Sequence, residues 1–188
     1  MLYYFTRVMT VIDISQNLLG CRVFDGDTPP TFKQVKSIEQ GYRLTDVNMC
    51  LHNGTHIDAP SHYIADGETV ERTPLEYCYG KCQVVDCHAL NKLPDTDCER
   101  VLLNGGQLTV QWAEQLLKRG VVLVGTTKIS IADEDCAEVH RLLLSHGVVI
   151  LEGLVLSGVA DGHYTLACFP LKFDGCEASP VRAVLITD

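Results

Sequence analysis

Residues 52–62 contain an unusual density of side chains that bind metal ions. The segment reads His-Asn-Gly-Thr-His-Ile-Asp-Ala-Pro-Ser-His, so three histidines and one aspartate fall within eleven residues. Residues two apart in an extended segment share a face, which points His56 and Asp58 in the same direction. Gly54 permits a sharp turn, so the imidazole of His52 can approach the same point. Two neutral imidazoles and a carboxylate suit Zn²⁺, Mn²⁺ or Fe²⁺.

His62 remains beside this ligand set and can serve as a proton carrier. The unperturbed pKa of a histidine, about 6.5, lies close enough to neutral pH for the ring to gain and lose a proton. The competing interpretation is a polar surface loop that uses histidine and aspartate in its turns. Four such groups within eleven residues favour the metal site over that loop.

A histidine and a glutamate far along the chain are candidates for a second half of this site. His140 lies on the apolar stripe of a predicted helix, with Cys136 four residues before it and Leu144 four residues after it. A histidine in such a place is more often a satisfied core residue than a ligand. Glu152 follows the apolar run Val148–Leu151, and a buried carboxylate needs a partner, for which a metal ion is suitable. The residues alone leave the role of this pair open.

Short strands and two helices must position these groups. Thr109 is suited to cap a helix that runs to Arg119, with Gly120 just past its end. The second predicted helix is Asp133–His146, whose acidic first residues favour a helix start. The predicted strands are Val11–Ile14, Lys33–Ile38, Tyr42–Met49, Cys82–Cys87, Val121–Val124, Val148–Leu151, Tyr164–Pro170 and Val181–Thr187. This pattern predicts a mixed α/β (α+β) fold.

Length and composition narrow the class of protein. The chain has 188 residues, which is enough for a single domain with its own core. Hydrophobic residues make up 46% and charged residues 21%, as in ordinary globular proteins, and no run of about 20 apolar residues suggests a membrane span. The net charge is −9 and basic residues form no cluster, so we expect neither nucleic acid nor membrane as a partner.

The cysteines and the first residues indicate the cellular compartment in which we expect the protein to reside. Nine cysteines include no CxxC zinc knuckle, and Arg7 interrupts what would be the apolar core of a signal peptide. We therefore expect free thiols in a reducing, cytoplasmic environment. Within a single domain over residues 1–188, we expect residues 1–8 to be an N-terminal appendage, which leaves Met9 open as the natural start.

Residues 52–62 resemble the HxGTHxDxPxH signature of the cyclase-like metal-dependent hydrolases, a family that includes bacterial kynurenine formamidase and isatin hydrolase. All seven fixed positions of the signature agree. Asp13-Ile-Ser resembles the opening strand of the family, and Phe24-Asp25-Gly26-Asp27 resembles its aromatic-Pro-Gly-Asp turn. Ser179-Pro180-Val181-Arg182-Ala183 resembles the closing strand. The resemblance thus extends over nearly the whole chain.

The resemblance implies a fold, an assembly and a site. The implied fold is the swivelling β/β/α type, usually assembled as a homodimer or a larger homo-oligomer. The formamidase branch places its remaining histidine and glutamate ligands twelve residues apart, which is the spacing between His140 and Glu152. The implied metal ligands are His52, His56, Asp58, His140 and Glu152, with His62 as general acid–base and Phe24 and Tyr63 as pocket aromatics.

The activity that the resemblance implies is metal-dependent hydrolysis of a C–N bond. The first substrate candidate is N-formyl-L-kynurenine, which an arylformamidase of tryptophan catabolism converts to L-kynurenine and formate. A cyclic amide of the isatin type is the alternative within the same class, and a metal-binding protein without turnover is the alternative outside it. The family runs Gly-x-Asp…Ser-x-Asp where this chain has Thr127 and Ala132 in the acidic positions, so we expect this loop to alter the pocket.

The number of ligands predicts the number of ions. A catalytic zinc site uses three protein ligands and leaves a position open, whereas this chain offers five. We therefore expect two Zn²⁺ ions, with Mn²⁺ as the alternative metal, bridged by Asp58. The competing arrangement is one ion on His52, His56 and Asp58, with His140 and Glu152 orienting water.

Overall fold

A computed structural model describes residues 9–87 and 97–187, so the predicted appendage at residues 1–8 lies outside the described residues. Within these ranges the chain forms eleven strands and two α-helices. The strands are β1 (Thr10–Asp13), β2 (Thr31–Lys36), β3 (Leu44–Asn48), β4 (His56–Asp58), β5 (Tyr79–Asp86), β6 (Arg100–Asn104), β7 (Leu123–Thr126), β8 (Val149–Glu152), β9 (Gly162–Ala167), β10 (Ala178–Pro180) and β11 (Val184–Thr187). The helices are α1 (Val110–Lys118) and α2 (Cys136–Ser145).

Nine strands form one mixed sheet in the order β1-β11-β9-β5-β6-β7-β8-β4-β10. The central strands β5, β6, β7 and β8 are parallel to one another, and all pairs outside this group are antiparallel. Parallel neighbours need a crossover connection, which α1 provides from β6 to β7 and α2 from β7 to β8. The predicted mixed α+β fold is therefore confirmed.

Both faces of the sheet are covered by apolar cores. Along β8, Val149 and Leu151 belong to one core and Ile150 belongs to the other, as alternation along a strand requires. The core that contains Ile150 also contains residues of both helices. The other core joins Ile57 of β4 to Leu185 of β11, which are distant in the sheet order, so the sheet curls around it. Burial on both faces explains the continuous apolar runs Val121–Val124 and Val148–Leu151, which overlap β7 and β8.

The eight predicted strands are present with shifted ends, and the structure adds three that the sequence analysis did not predict. β4 and β10 have three residues each, too few to show an alternating pattern. β6 has only three consecutive apolar residues between a basic and an amide side chain. The nine cysteines all lie within the described ranges, and none of them forms a disulfide there, in agreement with the predicted reduced state. Neither of the two α-helices in the described ranges has the length and apolar character needed to cross a membrane.

The first predicted helix is confirmed, whereas the predicted start of the second helix is wrong. The hydroxyl of Thr109 accepts a hydrogen bond from the backbone N–H of Trp112, and Gly120 follows α1 with a φ of +74°. The second helix begins at Cys136 rather than at Asp133. Asp135 adopts a left-handed backbone conformation with φ of +54°, which separates the acidic residues before it from the helix.

Leu102, in the central strand β6, gives a stability prediction. Its side chain is fully buried in the core on the curled side of the sheet. Leu102→Ala is expected to lower the free energy of unfolding by about 2–5 kcal/mol, because loss of the leucine side chain leaves a cavity that a central strand cannot close. Urea denaturation followed by circular dichroism measures this change. Leu75→Ala is the control, since Leu75 is 57% exposed, and equal effects of the two substitutions would contradict the prediction.

Candidate metal centre

A tight turn at Gly54 brings His52 and His56 together. Gly54 has a φ of +72°, in the left-handed region that favours glycine, and the two imidazole centroids lie 5.0 Å apart. His56 begins β4 and Asp58 ends it, so their side chains lie on the same face of the strand. The structure thus places these three side chains together, as their spacing predicts.

Thr55 attaches this turn to the end of β8. Its hydroxyl donates a hydrogen bond to the carbonyl of Gly153 (2.7 Å) and accepts one from the backbone N–H of Gln16 (2.9 Å). The register of β4 against β8 pairs His56 with Glu152, so the last residue of β8 faces the metal-binding segment. Thr55 was not among the predicted site residues, although its position between the histidines was an available signal.

α2 brings His140 to the same point. The Nε2 atom of His140 lies 3.3 Å from Oε1 of Glu152 and 3.7 Å from Oδ2 of Asp58. The backbone N–H of Ile131 also donates to Oε1 of Glu152, at 2.7 Å, and holds that carboxylate in place. The five predicted ligands therefore surround one point, although they come from the turn, β4, α2 and β8.

The two oxygens of Asp58 face different histidines. Oδ1 lies 3.1 Å from Nδ1 of His52 and 3.5 Å from Nε2 of His56, whereas Oδ2 faces Nε2 of His140. Both oxygens, and Nε2 of His56, are buried without a hydrogen-bond partner among the described residues. An unsatisfied buried carboxylate is costly, and these unpartnered atoms face one another. A divalent cation between them would satisfy all three atoms, so the residues present fit a metal ion.

The charges of the cluster also favour a cation. Burial lowers the pKa of His56, but the nearby carboxylates of Glu152 and Asp58 outweigh it and raise that pKa to about 9. Burial likewise lowers the pKa of His140, and Glu152 outweighs it to raise that pKa to about 9. Burial raises the pKa of Asp58, yet the surrounding imidazoles bring it down to about 2. The carboxylates thus attract protons onto the imidazoles, and metal binding would displace those protons.

Backbone carbonyls orient the two buried imidazoles for metal binding. The carbonyl of Gly54 lies 3.1 Å from Nδ1 of His56, and the carbonyl of Cys136 lies 2.7 Å from Nδ1 of His140. Because a carbonyl oxygen only accepts, Nδ1 carries the hydrogen in the neutral form of each ring. Nε2 is then the ligating atom, an arrangement that is typical of metal-binding histidines.

His62 lies beside the cluster, at the end of the short 3-10 helix Pro60–His62. Its ring centroid is 4.3 Å from that of His52 and 5.9 Å from that of His140. At this site, two groups of three residues have potential ligand atoms within 4.8 Å of one another: His52, His56 and Asp58 form one group, and Asp58, His62 and His140 form the other. His62 is thus placed to carry a proton or to bind a metal. Burial lowers the pKa of His62, which keeps its ring neutral and able to accept a proton near neutral pH.

The cluster forms the floor of a cavity of about 210 Å³. The ring of Tyr63 stacks on that of His140 with centroids 4.7 Å apart, and the half-exposed ring of Phe24 also lines the cavity. Both predicted pocket aromatics therefore contact this space. Two larger surface grooves, of about 820 and 800 Å³, are lined by none of the five predicted ligands.

Four further residues line the cavity without having been predicted: Asp27, Ile129, Ser130 and Cys136. The sequence offered a signal for two of these residues. Cys136 lies one helical turn before His140, and Asp27 belongs to the turn that resembles the family. Ile129 and Ser130 come from the loop that is expected to alter the pocket, and both line the cavity. The hydroxyl of Thr127 instead accepts a hydrogen bond from the backbone N–H of Gly105 (2.9 Å) and lies outside the cavity lining.

Comparison with known proteins agrees with the fold. A family model described as putative cyclase matches residues 12–127. A potential metal-dependent hydrolase with cyclase activity is 27% identical with a TM-score of 0.82, over 96% of this chain and 99% of that one. A predicted metal-dependent hydrolase from Bacillus stearothermophilus is 27% identical with a TM-score of 0.75, over 95% and 98% of the two chains. An isatin hydrolase bound to the product analogue thioisatinate has the same fold, at 18% identity and a TM-score of 0.82 over 95% and 92%.

Proposed function

This chain belongs to the putative cyclase family, and from that premise we propose that it hydrolyses a C–N bond in a small amide or formamide with the help of bound metal. The observation that carries the proposal is the set of unpartnered buried atoms on Asp58 and His56, which face three further donors. A merely structural polar cluster would satisfy these atoms internally. Their orientation towards one cavity instead suits a catalytic metal centre.

The donor set suits Zn²⁺, with Mn²⁺ as the alternative. His52 and His56 would hold one ion with Oδ1 of Asp58, and His140 and Glu152 would hold the other with Oδ2. When bound, such a cation supplies Lewis-acid chemistry, since it lowers the pKa of water toward about 7 and polarises the substrate carbonyl.

The remaining side chains of the cavity move protons and hold the substrate. His62 is neutral and half-buried beside His52, so it can accept a proton and deliver it to the departing nitrogen. Phe24 and Tyr63 offer aromatic surfaces for a planar amide. The cavity of about 210 Å³ is smaller than the roughly 300–1,000 Å³ typical of drug-sized ligands, which favours a substrate with one aromatic ring system.

Two substrate classes remain for this activity. N-formyl-L-kynurenine is the first candidate, and arylformamidase is the corresponding activity. One observation favours the second candidate, a neutral cyclic amide of the isatin type: the described lining of the cavity includes Asp27 but no lysine or arginine to pair with a substrate carboxylate. The fold shared with an isatin hydrolase supports the same candidate.

A substrate panel tests the proposed function. Protein loaded with zinc or manganese is expected to hydrolyse N-formylkynurenine, isatin or formanilide, and removal of the metal with a chelator is expected to abolish that activity reversibly. Steady-state kcat/KM for each compound, with a lactone as the C–O comparison, identifies the bond that is cleaved. Absence of turnover of every C–N compound with either metal would contradict the proposal and favour a metal-binding protein without turnover.

A further inference from the structure

A second cluster of metal-binding side chains lies in the surface groove of about 820 Å³. Asp97, Cys98 and His163 all line this groove, and their potential ligand atoms lie within 4.8 Å of one another. The Oδ1 atom of Asp97 is 3.0 Å from Nε2 of His163 and 3.7 Å from Sγ of Cys98. A carboxylate oxygen, an imidazole nitrogen and a thiol sulfur therefore converge on one point.

The sheet brings these residues together at a distance from the candidate metal centre. His163 lies in β9, and Asp97 and Cys98 come just before β6, while β9 and β6 are the two neighbours of β5 in the sheet. Because β6, β7 and β8 are parallel, the start of β6 and the end of β8, where Glu152 lies, are at opposite edges of the sheet. The cluster is therefore a separate site, and its chemistry does not depend on the proposed function.

The order of the three groups favours a metal site over a nucleophilic relay. In a cysteine hydrolase the imidazole lies between the thiol and the carboxylate, and it takes the proton of the thiol. Here the carboxylate oxygen of Asp97 is the central atom, which does not suit such a relay. Donor atoms on one tetrahedral Zn²⁺ would lie about 3.3–3.6 Å apart, given metal–ligand distances of about 2.0–2.3 Å. The observed separations of 3.0 and 3.7 Å are close to that spacing.

Accessibility and protonation allow an ion to enter from solvent. The side chains of His163 and Asp97 are 59% and 84% exposed, whereas Cys98 is 9% exposed and lies beneath them. Contact with His163 lowers the pKa of Asp97, which keeps its carboxylate ionised. Burial raises the pKa of Cys98, so a cation must displace the proton of this thiol when it binds.

We propose that Asp97, Cys98 and His163 form a second binding site, for Zn²⁺ or another thiophilic divalent cation. Cys98 binds as a thiolate after its proton passes to solvent, His163 binds as a neutral imidazole, and water completes the coordination. The bound ion holds the start of β6 to β9. Because two of the three ligands are exposed, the ion exchanges with solvent and is lost on desalting. The metal content of desalted protein then reports the candidate metal centre alone.

Titration of desalted protein with Co²⁺ in reducing buffer tests the proposal. Co²⁺ substitutes for Zn²⁺, and a thiolate ligand gives it a strong near-ultraviolet charge-transfer band that imidazole and carboxylate ligands do not give. Wild-type protein is expected to gain this band and to lose it when Zn²⁺ is added. Cys98→Ser is expected to abolish the band, and His163→Asn to weaken Co²⁺ binding at least about tenfold, since loss of even an outer partner of a ligand has that effect. Cys176→Ser is the matched control, because Cys176 is a partly exposed cysteine outside both clusters.

Hydrogen exchange supplies a second measurement. Zn²⁺ is expected to slow exchange of the backbone amides at the start of β6 at least about fivefold in wild-type protein but not in Cys98→Ser, because the ion joins β6 to β9. Circular dichroism shows that each variant keeps its fold.

Four outcomes would overturn the proposal. Absence of the charge-transfer band in wild-type protein would make Asp97 and His163 a simple surface ion pair. A band that survives Cys98→Ser but is lost in Cys136→Ser would place the thiolate beside His140, at the candidate metal centre. Equal effects of Cys98→Ser and Cys176→Ser would show that the band is not specific to this cluster. Amides of β6 whose exchange ignores Zn²⁺ would contradict the link between the two strands.

Discussion

Asp58→Ala is expected to leave the purified protein without bound metal and to lower kcat/KM by about 10⁴-fold or more. Asp58 is fully buried, and its two oxygens face His52 and His56 on one side and His140 on the other. Removal of the carboxylate thus takes a ligand from both proposed ions at once. Without a cation the pKa of water is no longer lowered toward about 7, which accounts for the size of the expected loss.

Metal analysis of protein purified without chelator measures this effect and counts the ions. Wild-type protein is expected to contain about two ions per chain, and Glu152→Ala about one, because Glu152 faces His140 on the Oδ2 side of Asp58. Glu177→Ala is the matched control: this carboxylate lies 3.5 Å from Nε2 of His52 but is substantially exposed, and its loss is expected to leave both ions in place.

One ion per chain in both wild-type protein and Glu152→Ala, even under excess zinc or manganese, would contradict the bridged arrangement. The single-ion alternative would then hold, with His52, His56 and Asp58 as ligands and with His140 and Glu152 orienting water. Retention of both ions in Asp58→Ala would contradict the role of this carboxylate altogether.

His62→Ala is expected to keep the metal content of the wild-type protein and to lower kcat by about 10²–10⁴-fold, the usual contribution of a general acid–base group. The ring is half-buried beside His52, and its lowered pKa keeps it neutral and ready to accept a proton. Steady-state kinetics on the best substrate of the panel, with metal analysis of the same preparation, measures both quantities.

His146→Ala is the control for this substitution. His146 follows α2 on the surface, where its Nδ1 contacts the carbonyl of Leu142, and its loss is expected to change neither quantity. Loss of metal together with activity in His62→Ala would show that His62 is a ligand. Its closeness to Asp58 and His140 makes that outcome structurally reasonable, so the metal content is the decisive measurement.

The sequence by itself determined the half of the site that is local in the chain. His52, His56, Asp58 and His62 fall within eleven residues, so the alternation of an extended segment and one glycine turn bring them together without knowledge of the rest of the fold. The two ends of the first helix could be predicted in the same way, because Thr109 and Gly120 determine the conformation of the backbone next to them. The start of the second helix could not be predicted from the sequence, since the left-handed conformation of Asp135 has no strong signature in residue type.

The tertiary structure decided which distant groups join that half. His140 and Glu152 reach Asp58 because α2 crosses from β7 to β8 and because β4 pairs with β8 in a register that sets His56 opposite Glu152. A three-residue strand such as β4 has too little pattern of its own, and its place depends on the burial of Ile57 in a core built from distant strands. The sequence likewise predicted β2 and β3 as strands, β2 by its alternation of polar and apolar residues, but not what they cover. Both faces of the main sheet are already covered by the two cores, so the hairpin of residues 31–48 remains exposed, and that follows only from the packing of the whole chain.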